Sequence, residues 1–296
     1  MEKNRIINKL PAKTWYWLNV NEAKLEWNDA SELPETVITS GDESICIESD
    51  NAYSEKTVKI APDKGQEVTV YMDYQFNGNL EVRTELNAVE DSVIKLVQVQ
   101  HTKSDSVLYN RIKGECTGNG RIEIIQVLLG EGDVYTEDAI DLVGEESSLK
   151  IDIGYVGQKN QKTDINVVAN HFGKKTLTDI TVSGALRDAA QKTFKGTIDF
   201  KNGSTDSVGN ENETVLLLGD DIVNKSVPLI LCAEENVVGN HGASIGDLDE
   251  DTLFYFESRG IDKETAENIM ANAAISRVVN LIQDESVRES LLTEIK

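Results

Sequence analysis

The sequence predicts a mostly β body followed by a small helical tail. Three observations carry this. From about residue 36 to residue 232 the dominant hydrophobic period is two, turn residues break the chain at short intervals, and after Gly246 the period changes to that of helices. The chain has 296 residues, enough for a full hydrophobic core and one or two domains. Hydrophobic residues make up 39% of it, as in globular rather than disordered chains.

The first segment, residues 1–35, carries all three tryptophans, Trp15, Trp17 and Trp27. Thr14 to Leu18 is short and aromatic. Trp rings bury large areas, so the segment reads as a flap anchored on the core, with an aromatic binding patch as the alternative.

The β core is predicted over residues 36–246. Val68, Val70, Met72, Tyr74 and Phe76 alternate with polar neighbours, and so do Leu149, Ile151, Ile153 and Tyr155. Further strands are expected at Leu80–Leu86, Val93–Val99, Arg121–Leu128, Ile165–Ala169, Ile180–Val182, Thr197–Phe200, Thr214–Leu218 and Leu229–Cys232. Turns fall at Gly118-Asn119-Gly120, Gly130-Glu131-Gly132, Lys201-Asn202-Gly203 and Gly219-Asp220-Asp221. With only four prolines, the loops rely on Gly, Asn and Asp. The helices that βαβ units require are missing between the strands, which excludes a doubly wound fold. The strand spacing is irregular and no fixed repeat is legible, so periodicity leaves sandwich, barrel and solenoid open.

The tail, residues 247–296, reads as helices. Asp249 caps Glu250–Ser258, and Gly260 stops it. Asp262 caps a second helix with Ile269, Ala273 and Ala274 on its apolar face, continued by a stripe of Val278, Leu281 and Ile282. Asp284 caps a last helix with Val287, Leu291 and Leu292.

Charge narrows the function classes. The formal net charge is −23, from 29 basic and 52 acidic residues. Such a surface repels phosphate backbones and anionic lipid, so neither nucleic acid nor membrane is an expected partner. No apolar run reaches the ~20 residues of a membrane helix, and Met1 to Leu10 lacks the apolar stretch of a signal peptide. The three cysteines, Cys46, Cys116 and Cys232, are widely spaced and form no C-x-x-C, which fits a reducing cytoplasm. The sequons at Asn202, Asn212 and Asn224 are then chance matches.

Conventional catalytic signals are missing. There is no Walker A loop, so no nucleotide is expected on this chain itself. The glycine-rich stretch Gly114 to Gly120 reads as a turn, no G-x-S-x-G elbow occurs, and the three histidines are far apart. What remains are borderline metal ligands, imidazole and thiolate, which suit iron and Fe–S chemistry. His241 lies in a polar, turn-like setting between Asn240 and Gly242. Cys232 ends a strand nine residues earlier, and Cys116 sits at a turn edge. Taken alone, both cysteines read as structural, Cys232 as a small buried hydrophobe.

Several short blocks, in this order, resemble the SufB/SufD family of iron–sulfur cluster assembly scaffolds. They are Ala190-Gln191-Lys192-Thr193-Phe194-Lys195-Gly196-Thr197-Ile198, Glu211-Asn212-Glu213 with Leu216-Leu217-Leu218, and Pro228-Leu229-Ile230-Leu231. Then follow Asn240-His241-Gly242-Ala243-Ser244-Ile245-Gly246, Leu253-Phe254-Tyr255-Phe256 and Ser258-Arg259-Gly260. The resemblance runs from about His171 onward, and the first 170 residues match only in general character. It implies a right-handed parallel β-helix with a small C-terminal helical domain. It further implies a non-enzymatic scaffold that dimerises through the β-helix, with itself or a SufB-like paralogue. A SufC-type ATPase would dock on the C-terminal helices at Leu253, Phe254, Tyr255, Phe256 and Arg259. The block Gly239-Asn240-His241-Gly242-Ala243 is closer to the SufD pattern Cys-x-His-Gly-Ala than to the SufB pattern Glu-His-Glu-Ala. His241 falls on the family histidine and becomes the candidate ligand of a transient iron–sulfur cluster, with Cys232 and Cys116 as weaker candidates. The SufD cysteine falls on Gly239, and the SufB cluster cysteine falls near Ile222–Asn224, where there is none. The short length suggests a minimal system with one scaffold type. Two other classes stay open: an adaptor that docks the ATPase without ligating a cluster, and a β-helix polysaccharide lyase. The lyase is disfavoured because neither a signal peptide nor a defined Asp cluster is seen.

Overall fold

The computed structural model describes residues 3–14 and 16–295; Trp15 of the predicted flap lies outside them. Two short strands, β1 (Lys3–Ile7) and β2 (Ala23–Trp27), pair antiparallel, with a 3-10 turn at Tyr16–Leu18 between them. The coil starts with β3 (Ser31–Glu32), β4 (Thr36–Ile38), β5 (Gly41–Ser49) and β6 (Tyr53–Ile60). It continues through β7 (Glu67–Phe76), β8 (Asn79–Ala88), β9 (Val93–Thr102), β10 (Val107–Cys116), β11 (Arg121–Gly130) and β12 (Asp133–Leu142). Then come β13 (Ser148–Gly157), β14 (Lys162–His171), β15 (Leu177–Arg187), β16 (Gln191–Phe200), β17 (Val208–Leu218), β18 (Val223–Cys232) and β19 (Val238–Asp247). Odd strands from β5 onward stack into one sheet and even strands from β6 onward into the other, each parallel to its neighbours. The result is a parallel β-solenoid of about seven turns, the solution that parallel strands reach without crossover helices.

The coil length explains why no repeat is legible. Tyr53 pairs with Asn79, 26 residues on, whereas Gln191 pairs with Val223, 32 residues on. The strands stay near ten residues and the corners absorb the difference. Several corners are tight turns with a central residue in a left-handed backbone: Asp91 at φ 59°, Asp105 at 63°, Asp188 at 56° and Asp206 at 63°. Short polar side chains tolerate that region, which is why Asp and Gly serve where proline is scarce.

One residue in two points inward. Val70, Tyr74, Leu96, Ile124, Ile151, Tyr155, Ile180, Phe194 and Phe200 belong to one continuous core between the two sheets. The N-terminal segment lies on the outer face of the even sheet. Trp27 meets Tyr53 edge-on at 5.4 Å and clusters with Ile7, Leu25 and Tyr109. Arg5 bonds Glu81 at 2.5 Å, the Asn8 amide donates to the Thr136 and Asp164 carbonyls, and Lys195 reaches Asp164 at 2.7 Å and the Asn8 carbonyl at 3.0 Å. Trp27 thus acts as the anchor, while Tyr16 and Trp17 are exposed.

The described residues form three α-helices, α1 (Glu250–Ser258), α2 (Lys263–Val279) and α3 (Glu285–Glu294). Asp249, Asp262 and Asp284 cap them, accepting from Thr252, Thr265 and Val287 amides at 2.7, 2.8 and 2.9 Å. Gly260, at φ 79°, follows the end of α1. Helices α2 and α3 cover the outer face of the odd sheet, where Ile275, Val279, Ile282 and Leu291 pack with Val97, Val99 and Val127. The expected face of α2 is wrong: Ala266, Ala271, Ile275, Val278 and Val279 are buried, while Ile269 and Ala273 are exposed. Leu281, expected on the stripe, is exposed, whereas Val278 and Ile282 are buried. The sheet chooses the face. At Gly154 a Cβ would sit 2.9 Å from Val278 Cβ, so the missing side chain lets the helix approach. Among the described residues, no helix is long and apolar enough to cross a membrane.

Candidate functional site at the open end of the solenoid

Strands β18 and β19 form the last turn. Each pairs on one side only, β18 with β16 and β19 with β17, so both are sheet edges among the described residues. Register tells which of their side chains face inward. Gly239, His241, Ala243 and Ile245 continue the inward row of Gly209, Glu211, Glu213 and Val215. Asn224, Ser226, Pro228, Ile230 and Cys232 continue Lys192, Phe194, Gly196, Ile198 and Phe200. A Cβ built on Gly239 would lie 3.0 Å from Ile230 and 3.1 Å from Phe200, which confirms the direction.

Two expectations need correction. His241 is in a strand, not a turn: pairing with β17 holds the backbone extended although Gly239, Asn240 and Gly242 give the sequence a loop-like look. Cys232 is exposed, not a buried hydrophobe, because no further turn covers it; its Sγ lies 2.9 Å from the Glu234 carbonyl, to which it donates. His241 is likewise exposed at the open end.

Beneath that end lies a polar layer whose residues stand in the matching blocks, but which the sequence does not show as one layer. Lys192 and Glu213 form a buried ion pair across the core, and the Ser226 hydroxyl donates to the other Glu213 oxygen. Burial depresses the Lys192 pKa, against the pull of Glu213. Glu211 is only 3% exposed, and its Oε2 has no hydrogen-bond partner. Burial first, and the charge of Glu213 second, push its pKa up to about 8. Its carboxylate fills the space left by Gly196, where a Cβ would collide with it. The signal for this layer was two glutamates two positions apart in a strand. They share a face, but only the register shows that the face is the inner one.

The remaining candidates are distributed elsewhere. Cys116 ends β10, four ladder steps from β18, roughly 19 Å at the usual strand spacing. It is buried, and burial pushes its thiol up to about 12. Cys46 is exposed at the opposite end of the odd sheet. His171 is buried between the Thr176 and Thr178 hydroxyls at 2.6 and 2.9 Å. Among the described residues no group of three or more His, Cys, Asp or Glu converges as a metal site. Helix α1 buries none of its residues. Phe254 is 71% and Tyr255 56% exposed, and the Arg259 guanidinium lies 5.3 Å from the centre of the Tyr255 ring.

With fold and site in place, comparison with known proteins is decisive. The family model described as "SUF system FeS cluster assembly, SufBD core domain" matches residues 45–274. The chain belongs to the SufBD family. It is 28% identical over 199 residues to the "Iron-sulfur cluster assembly protein SufD" of Bacillus subtilis, covering 67% of this chain and 46% of that protein. Similarity to SufD of Escherichia coli is 25% over 172 residues, covering 57% and 40%. A chloroplastic SufBD family protein of Arabidopsis thaliana is 25% identical over 181 residues, covering 60% and 32%. Matches named SufD favour that type, in keeping with the His-Gly-Ala block. The chain spans less than half the length of these three relatives. The SufBD core match starts at residue 45, well before the region from His171 that carried the resemblance in the sequence.

Proposed function

We propose that this SufBD-family chain is a cytosolic scaffold, not a catalyst, on which a nascent iron–sulfur cluster is held as cargo. It pairs through the open end of its solenoid with a second copy or a SufB-like paralogue, and α1 docks a SufC-type ATPase. One observation carries the reading: the terminal turn leaves two strand edges unpaired and sets His241 on its inner row. Unpaired edges are templates for strand addition, and a partner seated there would enclose His241 and Cys232. The exposed aromatic surface of α1 supports the docking assignment, since buried aromatic and Arg anchors dominate interfaces.

Two measurements test it. Anaerobic reconstitution with iron and sulfide is expected to give charge-transfer absorption that weakens in His241→Ala; identical spectra would remove His241 as a ligand. A SufC-type ATPase should co-purify with the wild type, and Phe254→Asp with Tyr255→Asp should weaken that by more than tenfold at unchanged thermal stability. Deleting the whole tail is a poorer test, because α2 and α3 cover Val97, Val99 and Val127 and their loss would expose that apolar face. An adaptor role without cluster ligation is the second reading. It is favoured by Gly239, which stands where the SufD pattern has cysteine.

A further inference from the structure

The loop between β1 and β2 differs in charge from the rest of the molecule. Residues 8–24 carry Lys9, Lys13 and Lys24 against one acid, Glu22, in a chain of net charge −23. The loop is tied down along its length. Lys195 donates to the Asn8 carbonyl at 3.0 Å and Asn166 to the Lys9 carbonyl at 3.4 Å. The Leu10 amide donates to the Asn21 carbonyl at 2.9 Å. The Asn21 side chain accepts from the Thr14 amide at 2.6 Å and donates to its carbonyl at 3.2 Å. Leu10, Val20 and Asn21 are buried. The tip is open: Tyr16 and Trp17 are 71% and 73% exposed, and the Lys13 ammonium lies 5.7 Å from the centre of the Tyr16 ring. Lys13, Tyr16 and Lys24 line one pocket of about 410 Å³. Large aromatic rings held at a surface by a fixed backbone are the usual anchors of an interface.

The tip sits at the open end. Lys225, near the start of the edge strand β18, donates to the Leu18 carbonyl at 3.0 Å. The corners of that end are acidic: Asp220 and Asp221 precede β18, Glu234 and Glu235 follow it, and Asp247, Glu250 and Asp251 lie at and after the end of β19. Two copies meeting end to end would crowd these acids, and like charges resist. Symmetry decides what the loop tip meets. The coil reverses direction at each corner, so edge strands joined across a twofold axis run antiparallel, whether β18 meets β18 or β19 of a second copy. The start of β18 then lies beside the end of the second copy's strand. That end is acidic in both cases, with Glu234 and Glu235 in the first and Asp247, Glu250 and Asp251 in the second. We propose that the loop tip is a pairing element: Lys13, Tyr16, Trp17 and Lys24 of one copy dock on an acidic corner of a second copy across the open end. The twofold makes the contact twice. This inference rests on the end-to-end pairing proposed above and commits it to a second copy of this chain.

The test is analytical ultracentrifugation of the full chain over a concentration series. The wild type is expected to form a reversible dimer that weakens as salt rises from about 0.05 M to about 0.5 M, because the docking charges are exposed. Tyr16→Ala with Trp17→Ala, and separately Lys13→Glu with Lys24→Glu, should each weaken the dimer about tenfold or more. All four positions are exposed, so circular dichroism and melting temperature should stay at wild-type values. Charge exchange carries the test further. Copies with Lys13→Glu and Lys24→Glu are mixed with copies carrying Glu234→Lys and Glu235→Lys, or Asp247→Lys, Glu250→Lys and Asp251→Lys. One of the two mixtures should restore a mixed dimer that neither variant forms alone, and the one that does so names the corner. Restoration by neither overturns the proposal. A wild-type dimer whose affinity is the same in both loop variants overturns the loop contact and leaves end-to-end pairing standing. A wild type that stays monomeric up to about 0.1 mM, beyond the weak end of specific complexes, overturns the inference and leaves pairing with a paralogue.

Discussion

Two polar layers of the solenoid interior make an instructive pair. In the middle, Tyr74, Gln98, Asn110, Gln126 and Asp138 are all fully or almost fully buried. Tyr74 donates to Asn110 Oδ1 at 3.1 Å, Asn110 to Gln98 at 2.8 Å, and Gln126 to both Gln98 and Asp138. Further turns close this layer on both sides. At the open end, Lys192, Glu211 and Glu213 are almost as buried, but the only turn above them is the terminal one, where Ser226 is half-buried. The middle layer is mostly neutral amides and hydroxyls, with one acid that burial keeps protonated. The end layer holds the ion pair of Lys192 and Glu213 beside Glu211, whose pKa burial and the charge of Glu213 raise. The difference teaches that polarity inside a solenoid is structural where it is sealed, and becomes a candidate site where the coil stops.

The largest expected effect breaks the charged layer. Lys192→Met leaves Glu213 with Ser226 as its only polar partner. Removing one member of a buried pair costs about 3–5 kcal/mol, measurable by urea denaturation. Combining it with Glu213→Leu should recover most of that loss. A cost below about 1 kcal/mol would mean that water reaches the layer and that it is not buried in the sense argued here.

The next effect tests the sealed layer by pH. Burial pushes the Asp138 pKa up to about 8. The folded chain therefore keeps a proton that the unfolded chain releases near pH 4. The stability from this group is complete below pH 4 and is lost as pH rises toward 8. At pH 7 the cost is on the order of 2–4 kcal/mol. Asp138→Asn should thus be more stable than wild type at pH 7 and equal to it near pH 4. A variant no more stable at either pH would place the carboxylate in contact with water or an unseen cation.

The two layers also differ in how far the sequence reveals them. The strands around Asp138 are legible, because Ile94 and Leu96 in one, and Ile122, Ile124 and Leu128 in the other, recur at every second position, broken only by Gln98 and Gln126. The coil is not, because consecutive strands belong to opposite sheets and the corners vary in length. At the end, β19 offers no apolar alternation before Ile245, so a glycine-rich strand reads as a turn around His241. Motif resemblance marked both His241 and the Glu211–Glu213 block, but only the register shows that they share the inner face. The face of α2 was ambiguous for a similar reason. A helix with alanines all round fits either way, and Gly154 on the sheet decides.

The smallest effect sharpens the comparison with matched deletions of one hydrogen bond. Tyr74→Phe removes a hydroxyl from the sealed layer and leaves Asn110 Oδ1 without that donor. An orphaned buried acceptor costs about 1–2 kcal/mol. Ser226→Ala removes a hydroxyl that donates to Glu213, but Ser226 lies on the edge strand and is only half-buried. Water can take its place, so the loss should be about 0.5 kcal/mol or less. Chemical denaturation of both variants at one pH resolves the order. If Ser226→Ala proves the costlier, the end of the solenoid is as dry as its middle. The two layers would then differ in charge alone.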